Sequence, residues 1–157
     1  MKSLVVFYSR DGSTKAVAQK IASELKCAAE EIIDLKNRRG PLGYMFAGRD
    51  AMKGKQTEIR GPESNPASFD LIAIGTPIWA DALTPAVRTF ISKNKGSLKN
   101  VAFFCVGGNG KGSSAFAEME SLAGKKPSAV LELSTEEVKK GEFADKLKSF
   151  GKEITRI

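Results

Sequence analysis

Leu4-Val5-Val6-Phe7-Tyr8-Ser9-Arg10-Asp11-Gly12-Ser13-Thr14-Lys15 is the stretch on which the reading of this chain turns. Leu4 to Phe7 is a short apolar run of strand-forming residues. Beyond the turn, Ala16 to Leu25 carries Val17, Ile21 and Leu25 at i, i+4 and i+8, one face of a helix. A buried strand therefore runs through a hydroxyl-rich turn into a helix N-terminus. Such an N-terminus offers unpaired N–H donors and a partial positive charge, which suits a phosphate. Ser9, Ser13 and Thr14 add hydroxyls, and Gly12 lets the backbone come close to a ligand. The same residue types also cap ordinary helices, so the turn alone reads either as a phosphate cradle or as a plain βα turn.

Further apolar runs follow at Ile32-Ile33 with Leu35, Leu71 to Ile74, Val101 to Val106 and Ala129 to Leu133. With the first they make five expected strands. Between them lie helical patterns. Thr84-Pro85 reads as an N-cap with proline at the first helical position, followed by Val87, Phe90 and Ile91 on one face. Phe116, Met119 and Ala123 give a weaker face, and Phe143, Leu147, Phe150 and Ile154 a continuous stripe. The alternation of strand and helix predicts an α/β domain over residues 1–157, with a mostly parallel sheet covered on both faces.

The connection from Lys36 to Pro66 departs from this rhythm. It is too long for a plain loop, and its glycines work against helix, yet Tyr44, Met45 and Phe46 are apolar; one short helix over Leu42–Met52 is expected. It also holds Lys36, Arg38, Arg39, Arg49, Lys53, Lys55 and Arg60 against Asp50 and Glu58, much of the chain's net charge of +7. Such a segment is either a patch for an acidic partner, nucleotide or nucleic acid, or a solvated basic face. Without a nucleic-acid motif beside it, nucleic acid is not the expected ligand.

The chain has no histidine, which excludes Ser-His-Asp and Cys-His catalysis and His-ligated metal sites. Chemistry is therefore expected from a cofactor. Its two cysteines, Cys27 and Cys105, form no close pair and read as small buried hydrophobes. No run is long enough to span a membrane, and Met1-Lys2-Ser3 leads directly into the first strand, so a cytoplasmic setting is expected.

In open α/β sheets ligands bind beyond the carboxyl ends of the strands. Three such ends carry useful residues. The first is Ser9-Arg10-Asp11-Gly12-Ser13-Thr14. The third is Gly75-Thr76-Pro77-Ile78-Trp79-Ala80-Asp81, where the only tryptophan is expected on a loop, either stacked on a planar ligand or filling a gap beside a helix. The fourth is Gly107-Gly108-Asn109-Gly110-Lys111-Gly112, which fits neither a dinucleotide fingerprint nor a P-loop. The second and fifth ends lack comparable glycine or aromatic chemistry. An anion at the first end and a planar ring between the other two describe flavin mononucleotide, FMN.

On these residues the chain resembles the flavodoxin family along essentially its whole length. The resemblance implies a three-layer sandwich with a five-stranded parallel sheet of order 2-1-3-4-5; that order comes from the resemblance, not from periodicity. It implies that Ser9 to Thr14 hold the FMN phosphate. It places Thr76, Pro77, Ile78, Trp79 and Ala80 against the isoalloxazine, as in a subgroup with Gly-Thr-Pro-Ile-Trp, and Gly107, Gly108, Asn109 and Gly110 at its pyrimidine edge. Asp11 departs from the family's hydroxyl residue; its carboxylate is expected to turn outward, toward Arg10 or Lys15. The basic charge departs from the acidic habit of many flavodoxins and suggests an acidic redox partner. An electron carrier is the leading expectation. An NAD(P)H-dependent quinone reductase, and a non-redox phosphate-binding or signalling module on the same fold, are the alternatives.

Overall fold

The computed structural model describes residues 1–156. In chain order the strands and α-helices are β1 (Ser3–Phe7), α1 (Ser13–Leu25), β2 (Ala28–Glu31), β3 (Ile33–Asp34), α2 (Gly40–Met52), β4 (Ile59–Arg60), β5 (Leu71–Trp79), β6 (Ala82–Leu83), α3 (Pro85–Asn94), β7 (Asn100–Gly107), α4 (Ser113–Ala123), β8 (Val130–Ser134), α5 (Thr135–Lys140) and α6 (Ala144–Ile154). Five strands pair in parallel in the order β2-β1-β5-β7-β8, which is the 2-1-3-4-5 order of a flavodoxin-like three-layer fold. No helix among the described residues is long and apolar enough to cross a membrane.

Both faces of the sheet are buried because side chains alternate along each strand. Leu4, Val6, Ile72, Ile74, Phe103 and Cys105 point to one face, under Val87, Phe90, Phe116 and Met119 of α3 and α4. Val5, Phe7, Ala73, Phe104 and Val106 point to the other, under Val17, Ile21, Phe150 and Ile154 of α1 and α6. At Gly75 a Cβ would stand 2.1 Å from the Phe104 ring, so this position in the sheet centre admits only glycine.

Three elements differ from the sequence expectation. The second strand is Ala28–Glu31, not Ile32 to Leu35. It is an edge strand, only partly buried, and so lacks a strong apolar signature; Ile32 lies just beyond it, fully buried, its N–H donating to the Phe7 carbonyl at 2.7 Å. Ile33–Asp34 instead pairs antiparallel with Ile59–Arg60.

The third strand runs on through Gly75-Thr76-Pro77-Ile78-Trp79, expected as loop. Thr76 and Pro77 face Cys105 and Val106 of β7. Gly75 accepts from Tyr8 on the β1 side, at 3.1 Å. Pro77, two residues on, turns its nitrogen the same way, past the end of β1, where no donor is needed. Ile78 and Trp79 then pair with Leu83 and Ala82 across a two-residue turn. Ala80 and Asp81 both have positive φ, 49° and 59°, the mark of a type I′ hairpin.

The helix in the long connection forms, but from Gly40 rather than Leu42. It packs through small residues: Ala47 and Ala51 are buried, and a Cβ on Gly43 would lie 2.4 Å from the Arg38 backbone. One further helix, α5, opens with a capping box between Ser134 and Glu137.

Candidate functional site

The turn after β1 is ordered by its own side chains. Gly12, at φ 97°, precedes the first residue of α1. The Ser9 hydroxyl oxygen accepts from the amides of Gly12 and Lys15 at 3.1 and 3.2 Å. The Asp11 carboxylate is exposed, but it bends back to accept from the Ser13 amide at 3.0 Å. It pairs with neither Arg10 nor Lys15, contrary to the sequence expectation. Arg10 donates through Nε and Nη2 to the Arg38 carbonyl, at 3.2 and 2.8 Å, and Lys15 stands 3.7 Å from Glu31. Thus one first-turn amide of α1, the kind of donor a phosphate would use, is covered by an internal anion.

The three strand ends meet. A trench of about 220 Å³ runs from Arg10, Asp11, Ser13 and Thr14, past Pro77, Ile78 and Trp79, to Gly107 and Gly108. Six other expected site residues do not line it. Ser9 and Gly12 shape the turn behind the trench. Thr76 is fully buried and bonds to Thr84 at 3.0 Å, which also explains why the Thr84 side chain does not cap α3. Asn109 accepts from the Lys111 amide at 3.0 Å within its own loop, and Gly110 packs on Ser134. Ala80 lines a neighbouring cavity instead. At the fourth end, Glu132 accepts from the Gly112 amide at the start of α4, at 3.1 Å.

Trp79 packs at the edge of the core cluster and also lines the trench. Tyr8 meets it edge-on, with centroids 5.5 Å apart, and the Arg38 guanidinium lies 5.8 Å from its ring centre. Burial, reinforced by the negative charge of Asp34, pushes the Tyr8 hydroxyl up to about 12, so it stays protonated at physiological pH.

Tyr44, Val106 and Thr135 also line the trench and were not among the expected residues. Thr135 carried a usable signal: Ser134-Thr135 repeats, after the last strand, the hydroxyl-rich start of a helix seen at Ser13-Thr14. Tyr44 carried none, because its place depends on how α2 crosses the sheet edge.

The basic segment is not a uniform patch. Arg38 is buried, with Nε 2.6 Å from Asp34 and Nη1 3.0 Å from Asp50. Lys36 also reaches Asp50, at 2.8 Å. Burial works against the Asp50 charge, but bonds from Lys36 and Arg38 hold its carboxyl below the usual carboxylate range. Arg39, Arg49, Lys53 and Arg60 remain exposed.

No family model matches the chain. A curated NAD(P)H dehydrogenase (quinone) from Deinococcus radiodurans is 30% identical over 112 residues, 66% of this chain but only 56% of that protein. The chain thus matches little more than half the length of this relative. A crystal structure of a flavoprotein in complex with FMN from Lactobacillus acidophilus is 26% identical, covers 88% of this chain and 97% of its own, and superposes with a TM-score of 0.72. The two-electron reduced flavodoxin of Megasphaera elsdenii, 17% identical over 99% of both chains, shares the fold with a TM-score of 0.63. Strand order and these likenesses show that this chain has the flavodoxin-like fold, with a trench at its strand ends.

Proposed function

We propose that this chain binds FMN in the trench and serves as an electron-transfer flavoprotein. The observation that carries the reading is the polarity of the trench. One end is the N-terminus of α1 with Ser13 and Thr14; the other is bounded by Trp79, Ile78 and the Gly107-Gly108 backbone. A molecule with an anionic tail and a flat ring matches both ends.

Bound FMN supplies one- and two-electron chemistry. The amides and hydroxyls of Ser13 and Thr14 would hold its phosphate, which must displace the Asp11 carboxylate from the Ser13 amide. Gly107 is closed in by Ile78, where a Cβ would stand 3.0 Å from the Ile78 Cβ, so the end of β7 would offer a bound ring backbone rather than a side chain at this position. Trp79, steadied by Tyr8 and Arg38, would flank the ring and exclude water from one side. No side chain need act as a base, which agrees with a chain that lacks histidine.

The Deinococcus likeness favours a second reading, NAD(P)H-dependent quinone reduction. The exposed Arg39, Arg49 and Lys53 suit an acidic redox partner under the first reading and a pyridine nucleotide under the second. Anaerobic addition of NADPH to the FMN-loaded protein separates them. Flavin absorbance unchanged over minutes supports a carrier; bleaching within seconds supports the reductase. Trp79→Ala is expected to weaken FMN about tenfold and shift the flavin potentials. Unchanged affinity and potentials would refute stacking by Trp79.

A further inference from the structure

The helix α2 is apolar on two sides. Gly43, Ala47 and Ala51 are buried against the protein, together with Asp50, the only acid of the helix. Leu42, Met45, Phe46, Arg49 and Met52 stand at i, i+3, i+4, i+7 and i+10, so they share the opposite face, which Lys53 continues at the C-cap. A helix apolar on both sides is ordinarily covered on both. Here the outer side chains are bare: Leu42, Met45, Phe46 and Met52 are 67%, 57%, 40% and 70% exposed. The charges among them are positive. Arg49 and Lys53 are exposed on this face, and Arg39 is exposed at the N-cap. Arg49 lies 5.8 Å from the Phe46 ring centre, so cation and apolar surface are in contact range. Asp50 is shared by Lys36, Arg38 and Lys55 on the inner side and does not neutralise the outer one.

We infer that this face docks on an anionic lipid surface, as a helix lying in the plane of the headgroups. In such a helix the apolar side chains sink among the acyl chains while the flanking cations meet lipid phosphates. Charge alone would suit an acidic protein equally well. The apolar groups decide between the two. They stand out singly from a convex helix surface, and a fluid interface takes up methionine and leucine side chains without a matching set of pockets. A second copy of this chain would set Arg39, Arg49 and Lys53 against their like on a molecule already at +7. No helix among the described residues is long and apolar enough to cross a membrane, so the contact is one helix face deep.

Co-sedimentation with sucrose-loaded vesicles at about 0.1 M salt tests this. One set is phosphatidylcholine alone; the other carries one-third phosphatidylglycerol. Leu42→Gln/Met45→Gln/Met52→Gln removes apolar groups that are more than half exposed, and glutamine has a similar helix propensity. Arg49→Gln/Lys53→Gln removes two charges from the face. Lys125→Gln/Lys126→Gln removes two exposed charges from the turn before β8. The wild type is expected to bind anionic vesicles about tenfold or more tightly than neutral ones. The apolar variant should lose about tenfold, the Arg49 and Lys53 variant about fivefold, and the Lys125 and Lys126 variant less than about twofold. A wild type that ignores both vesicle types overturns the inference and leaves the face to an acidic protein. Full binding by the apolar variant overturns it too, since the attraction is then charge alone. So does an equal loss in the Lys125 and Lys126 variant, which means adsorption through net charge. So does a wild-type dimer in gel filtration that the apolar variant abolishes, which means that a second copy covers the helix. No arm uses flavin, so a protein that fails to bind FMN leaves the result standing.

Discussion

The trench has two walls of different origin. One grows from the sheet: the Ser9–Thr14 turn leaves β1, and the Gly107-Gly108 loop leaves β7. Strand ladders fix both. The other comes from the long connection, whose helix α2 contributes Tyr44 but has a poor sequence for a helix and little apolar burial. Two buried arginines hold it in place of a core. Arg88 donates to the carbonyls of Ala51, Leu83 and Lys55 and to Glu118, tying the end of α2 to α3, α4 and β6. Arg38, just before α2, binds Asp34 and, in the last turn of α2, Asp50, and its Nη2 is the one buried side-chain nitrogen or oxygen without a partner among the described residues. A wall made by strand pairing depends on many residues, each of small effect; a wall pinned by single charged groups depends on very few.

The sharpest way to break this contrast is Arg88→Met. It leaves three carbonyls and a carboxylate without their donor, and urea unfolding is expected to show a loss of about 3–5 kcal/mol. A loss below about 1 kcal/mol would mean that α2 is held by something else. Arg38→Met comes next, at about 2–4 kcal/mol, since its guanidinium is less fully satisfied. Unlike Arg88→Met, it should also shift Trp79 emission in the folded state, because the cation leaves that ring.

The two walls should also fail at opposite ends of the pH scale. Asp50, with its carboxyl held down, contributes stability that is present above the ordinary carboxylate range and lost as pH falls through and below it. Hydrogen exchange should show α2 loosening in acid before β1 and β7. Tyr8, raised to about 12, contributes on the sheet side; that stability is present below pH 10 and lost as pH rises from 10 toward 12. Tyr8→Phe should remove an alkaline loss of about 2–3 kcal/mol in unfolding measured across that range. An identical alkaline profile would contradict this.

Smaller effects sharpen the site itself. Asp11→Ser removes a carboxylate from the phosphate end and should tighten FMN about fivefold by titration. Weaker binding would mean that Asp11 orders the turn for its ligand. Ala80→Gly relieves a left-handed residue in the hairpin and should stabilise by about 0.5–1 kcal/mol, with the unfolding midpoint rising accordingly.

The sequence made the sheet wall readable and the connection wall obscure, for the same physical reason. Fully buried strands such as Leu4–Phe7 and Val101–Val106 must be apolar, and a helix covering them must show a stripe, as Phe143, Leu147, Phe150 and Ile154 do. The edge strand Ala28–Glu31 is under no such demand, so the apolar Ile32-Ile33 beside it drew the expectation two to four residues too far. Gly75 to Trp79 carries Gly and Pro, the usual marks of a loop. Its strand character comes from β7 and β6, which lie elsewhere in the chain. Of the candidate site, Ser13, Thr14, Trp79 and Gly107 were found because hydroxyl, aromatic and glycine residues stood next to strand ends. Tyr44 was missed because Arg38, Asp34 and Asp50 pair at long range, and a charge in a list looks exposed until its partner is seen.

The central claim is that one trench reads a phosphate at α1 and a flat ring at Trp79. Titrating the protein with FMN and with riboflavin, under the same conditions and by quenching of flavin fluorescence, tests it most directly. FMN should bind one to one and about a hundredfold more tightly than riboflavin, since two charge-assisted bonds to the phosphate contribute roughly 3 kcal/mol. Equal affinities would contradict the phosphate cradle, and a protein that quenches neither would contradict the flavin site altogether.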